Sequence, residues 1–136
     1  VECRQSGFFR NPQPIKETKI LMYNGKIDDA SHAHICEEYG EKMKAAGADI
    51  IVKTKAGWGH GFDANYSAEY EKHLEAWHEC PDYYTEDDGM ANKDASIDAS
   101  CITYGYHVGG TRKMGTPSWK VFKGPFLKFF KKNLLN

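Results

Sequence analysis

Apolar positions change their period in a definite order along the chain. From Lys19 to Tyr23 they run nearly unbroken and stop at Asn24-Gly25, which predicts a short buried strand. Beyond Ser31 they fall at Cys36, Tyr39, Met43 and Ala46, spaced as one face of an amphipathic helix. Ser31 suits its N-cap and Gly47 its stop. Ile50 to Thr54 is rich in β-branched residues and predicts a second strand. A strand, a helix and a strand in this order form a βαβ crossover, whose two strands run parallel in one sheet. The expected fold class is therefore α/β. A parallel sheet must be covered on both faces, and only two convincing strands are legible, so the sheet is expected to be incomplete in this chain.

The rest of the chain is patterned more weakly. Residues 1–17, with Gly7, Pro12 and Pro14, hold no period and read as a loop. A glycine-containing loop follows the second strand from Lys55 to Gly61, and Tyr70, His73, Leu74 and Trp77 predict a helix from Ala68 to His78. Residues 79–98 are polar, acidic and interrupted by Pro81 and Gly89, which reads as a long loop insertion. After the Gly109-Gly110 turn, Trp119, Phe122, Phe126, Phe129 and Phe130 form an aromatic stripe on a closing helix. The stripe should face the core, and Pro125 should bend or restart the helix.

A length of 136 residues suits one domain spanning the whole chain. With 40% hydrophobic and 27% charged residues the composition is that of a soluble globular protein. No apolar run approaches the ~20 residues of a membrane helix. A net charge of −1 gives no electrostatic reason to expect nucleic acid or an anionic membrane as partner. Glu79 to Asp98 is acid-rich and Lys120 to Lys132 basic, which fits either two solvated surfaces or a mutual pairing. The sequence opens at Val1 without the pattern of a secretory leader, as expected of a fragment or a processed chain. Cys3, Cys36, Cys80 and Cys101 contain no C-x-x-C pair. Cys80 and Cys101 flank the acidic loop, where a bridge and two buried thiols fit equally. Asn65-Tyr66-Ser67 is a glycosylation sequon, and the compartment stays open, with the cytoplasm slightly favoured.

Two residues stand where chemistry collects in parallel sheets, at the carboxyl ends of strands. Asp28 follows the first strand, where it suits either catalysis or a carboxylate near the positive end of the next helix. His60 follows the second strand between Gly59 and Gly61, which permit the close approach of an imidazole to a cleft; a packed or solvated loop histidine is the alternative. Adjacent parallel strands make contact between the two reasonable. An imidazole there can accept a proton from a hydroxyl or thiol while the carboxylate steadies its tautomer. In α/β-hydrolases the triad runs nucleophile, acid, histidine, the nucleophile lying on a strand-to-helix elbow. Neither Ser31, Cys36, Ser96, Ser100 nor Cys101 has that setting, so the nucleophile is expected upstream of this chain. A metal site is the competing reading of His32-Ala33-His34, with His60 or His78 joining Asp28 or Asp29. Residues two apart on a helix diverge, so no metal is expected unless the helix starts later. Trp77-His78 and Tyr83-Tyr84 read as packing rather than pocket.

The stretch GKIDDASHAHICEEYGEKMKAAGADIIVKTKAGWGHGFD resembles the C-terminal half of the dienelactone hydrolase family. The shared features are a G-x-x-D-D turn, a helix leaving through A-A-G-A-D, and an H-[GA]-F-D loop; weaker similarity continues through Cys101 to Gly105 and Val108-Gly109. The resemblance implies an α/β-hydrolase with Asp28 as triad acid and His60 as triad base, acting without cofactor on a small-molecule ester, lactone or related acyl bond. It places the nucleophile and the oxyanion-hole amides in the other half, supplied upstream or by a second polypeptide. The chain alone is then expected to be inactive. His32 and Trp58-Gly59 depart from the family pattern and bear on pocket shape and substrate. The alternative is a non-catalytic binding or scaffold protein that retains the fold.

Overall fold

The computed structural model describes residues 8–14, 16–63, 67–80, 84–88, 99–110 and 118–134. At its centre is the expected crossover. Strand β1 is the short Phe8–Phe9, β2 is Lys19–Gly25, helix α1 is Ala33–Ala45 and β3 is Asp49–Lys55. β2 and β3 pair in parallel without a slip, from Lys19 opposite Asp49 to Gly25 opposite Lys55. On α1, Cys36 and Met43 face Met22 of β2 and Ile50 of β3, and these four make the buried core. Each apolar side chain taken out of water there contributes about 1.5–3 kcal/mol. Tyr39 packs at the edge of this cluster, and burial pushes its phenol above the ordinary value.

Both ends of α1 follow from local chemistry. At the C-terminal end Gly47 N–H donates to Lys44 O and Ala48 N–H to Met43 O, a Schellman stop at the residue the pattern indicated. The N-terminal end corrects the expectation. His32, not Ser31, holds the cap position, and no side chain caps it. Asp28 has already taken the N–H groups of Ala30 and Ser31 in a turn of its own, which delays the helix.

The predicted helix from Ala68 to His78 is absent. Those residues form strand β4, Glu69–Ala76, antiparallel to β6, Thr103–Val108. The two are in register at Glu69–Val108 through Glu71–Tyr106 and again at Glu75–Tyr104, with a bulge between. Extra residues inserted on one strand destroy the alternation by which a strand is recognised and leave a spacing that imitates a helix. Tyr70 and Leu74, the supposed apolar face, are 55% and 41% exposed. Strand β5, Tyr84–Thr85, pairs in parallel with β1, so the segment before residue 18 is not wholly loop. The described residues therefore form three two-stranded sheets. The class is α/β, with an antiparallel arm added to the parallel unit.

Helix α2 spans Ser118–Leu134 and runs unbroken through Pro125, so the expected restart does not occur. Its described aromatic residues do not enter the core: Phe126 and Phe129 are half-buried and Phe130 is 39% exposed. The side chains of Trp119 and Phe122 lie outside the described residues. Cys80 and Cys101 are joined in a disulfide, and Cys36 is also disulfide-bonded. The sequon residues Asn65 and Tyr66, and most of the acidic loop, fall outside the described residues. No helix among those described is long and apolar enough to cross a membrane.

Candidate active site

The β2 and β3 strands end side by side, and the turns that leave them are tied together. Lys26 N–H donates to Lys55 O at 2.9 Å, and Ile27 N–H to Trp58 O at 3.0 Å. This approach is so close that a Cβ on Gly25 would run into the Trp58 carbonyl. Glycine at position 25 is therefore a requirement of the crossing and not merely a turn signal.

Asp28 is buried at the head of this turn. Its Oδ1 accepts Ala30 N–H at 3.1 Å and Ser31 N–H at 2.8 Å. Its Oδ2 faces His60, 3.4 Å from Nδ1. The two readings of Asp28 thus meet in one side chain, since one oxygen organises the chain before α1 while the other meets the imidazole. A separation of 3.4 Å is long for a hydrogen bond. It is within ion-pair reach, and catalytic contacts of this kind commonly tighten only when the reacting group is bound.

His60 is seated by the end of β6. Its N–H donates to His107 O at 2.8 Å and its carbonyl accepts Gly109 N–H at 2.7 Å, while Gly59 N–H reaches Gly109 O at 2.7 Å. A Cβ on Gly59 would lie 2.5 Å from His107 O, so this seat also needs a glycine. The Tyr106 ring meets the His60 ring edge-on, with centroids 5.2 Å apart. With Nδ1 turned to a carboxylate, Nε2 is the ring atom that a general base would use.

Asp29 makes a second pair. Its Oδ2 lies 2.8 Å from Nδ1 of His107, and its Oδ1 accepts the His107 backbone N–H at 2.5 Å. The D-D doublet was a visible signal for Asp29. Nothing in the sequence marks His107, which lies 78 residues away.

The other sequence candidates resolve differently. The condition for an H-x-H contact is met, because the helix begins at Ala33. The rings of His32 and His34 stack at 5.5 Å, and His78 meets His32 edge-on at 5.1 Å. Among the described residues, however, no three His, Cys, Asp or Glu side chains are placed to hold a metal ion. Ser31 is buried away from attack, and the described cysteines are all oxidised. Ser96 lies outside the described residues.

A cavity of about 590 Å³ opens beside Asp28, between β2 and α2. It is bounded by consecutive β2 residues, including Tyr23, Asn24 and Gly25, and by Phe62, Phe126 and Phe129. Neighbouring residues of a strand point to opposite faces, so a space lined by all three runs along the strand's edge and not over one face. No protein-family model, curated protein or solved structure matches the chain.

Proposed function

We propose that this chain supplies the acid and base of an α/β-hydrolase that cleaves a carboxylic ester, lactone or related acyl bond. The supporting observation is the Asp28–His60 pair, largely buried on the turns that leave two adjacent parallel strands. In this reading His60 accepts the proton of an attacking hydroxyl or thiol and returns it to the leaving group, while Asp28 holds the imidazole and offsets the charge that forms on it. The attacking group and the oxyanion-binding amides come from a polypeptide segment outside this chain. The β2 edge that borders the cavity is where the rest of the sheet would join.

Hydrolysis of p-nitrophenyl esters tests the reading. The chain alone should give no turnover. The longest natural polypeptide carrying it should give turnover that His60→Ala lowers by about 10²–10⁴-fold. Turnover by the chain alone, abolished by His60→Ala, would put the nucleophile within it and refute the divided site. A natural polypeptide that is inert with Asp28 and His60 intact would favour the binding or scaffold protein.

A further inference from the structure

Asp28 and Asp29 are neighbours, yet each takes a histidine from a different later segment. Asp28 faces the ring of His60. Asp29 holds His107 twice, by its backbone N–H and by its ring. The carbonyl of that same His107 accepts the backbone N–H of His60. An unbroken path therefore runs from the Asp29 carboxylate, through one residue of β6, to the peptide that carries the His60 ring.

We infer that Asp29 and His107 are positioning residues for His60, so that the acidic doublet aims one imidazole from two directions. The inference rests on the acid–base role proposed for His60. Three surroundings bear it out. Tyr70, opposite His107 in the β4–β6 register, places its ring edge-on to the His107 ring at 5.1 Å. Gly105, with φ of 95°, leaves room for that phenol, since a Cβ there would collide with it. Tyr106, the residue before His107, touches the His60 ring. Residues 105–109 thus form a backing whose position is set by Asp29, and His60 has its main-chain bonds to this backing. The Asp28–His60 separation, already 3.4 Å, then depends on how firmly Asp29 grips β6. A shift of roughly 1 Å in such a group costs about 10²-fold in rate.

Two-bond proton–nitrogen spectra of the imidazole rings, recorded on the 136-residue chain, test this separately from any activity. Wild-type His60 should show the Nδ1–H tautomer facing Asp28. Asp29→Ala should lower the ratio of Nδ1–H to Nε2–H at His60 roughly tenfold, the weight of one hydrogen bond to a charged group. His107→Ala should do the same less severely, because its backbone N–H still reaches Asp29. Asp29→Asn, which keeps an acceptor for that N–H, should restore most of the ratio. An unchanged His60 tautomer in Asp29→Ala, with Met22, Met43 and Ile50 methyl signals still dispersed, would overturn the inference. So would collapse of those methyl signals in both alanine variants, since the pair would then hold the fold and not aim the ring. Ester turnover plays no part in this readout, so failure here leaves the proposed hydrolase intact, and failure of that proposal leaves the geometric coupling measurable.

Discussion

Two carboxylate–imidazole pairs leave one dipeptide, and they are built in opposite ways. Asp29–His107 is short, at 2.8 Å, but 34% and 45% of its two side chains is exposed. Asp28–His60 is long, at 3.4 Å, but only 10% and 15% exposed. The shorter contact is partly open to water, which screens the ion pair, so its charge–charge part contributes about 0–1 kcal/mol. The longer contact sits where opposite charges feel one another strongly. In the proposed hydrolase it also has room to shorten when the imidazole gains a proton, and an interaction that strengthens along a reaction is the kind that accelerates it. Distance alone would favour His107 as the base of the proposed hydrolase. Lower exposure, together with placement at parallel strand ends, favours His60.

Asp28→Asn is the largest expected break in this contrast. The amide keeps an oxygen for Ala30 and Ser31 but removes the charge, so folding should persist while the ester turnover proposed for the longest natural polypeptide falls on the order of 10⁴-fold, the effect of forcing a wrong tautomer. Steady-state rates measured beside a urea titration check both halves. A loss of activity matched by a loss of folding would reduce Asp28 to its turn-forming role.

An intermediate effect is expected at the disulfide. Cys80 and Cys101 join the far end of the arm that carries His107. Replacing both by serine frees a loop with a sequence separation of 21 and should lower stability by about 3 kcal/mol. Hydrogen exchange should rise across β4 and β6 while β2 and β3 stay protected. Uniform loss of protection would show that the arm and the crossover unfold as one unit, and would remove the distinction between the two pairs.

The smallest expected effect is that of salt. Raising ionic strength from 0.1 M to 1 M shortens the screening length from about 10 Å to about 3 Å. The ring signals of His107 should respond by an amount worth a few tenths of a kcal/mol, and those of His60 much less. Equal responses would mean that the buried pair is open to solvent and that the contrast in burial does not govern it.

The parallel unit was legible because its determinants are local. Apolar period, the glycine stop at Gly47 and the order of strand, helix and strand all act within a few residues, and the handedness of crossovers carries them to a topology. The same logic brings Asp28 and His60 together, since residues that follow adjacent parallel strands have little choice but to be neighbours. Where pairing depends on distant partners, the sequence misled or was silent. The β4 bulge turned a strand into an apparent helix, and the early turn made by Asp28 moved the start of α1.

By itself, then, the sequence determined the βαβ core and the meeting of one acid with one histidine, because short-range sterics and apolar spacing are written in consecutive residues. The tertiary structure alone decided that β6 returns to the strand ends, that Cys80 meets Cys101, and that His107 lies against Asp29. Those contacts join residues far apart in the chain, and they exist only because backbone hydrogen bonds of the folded arm bring them within reach.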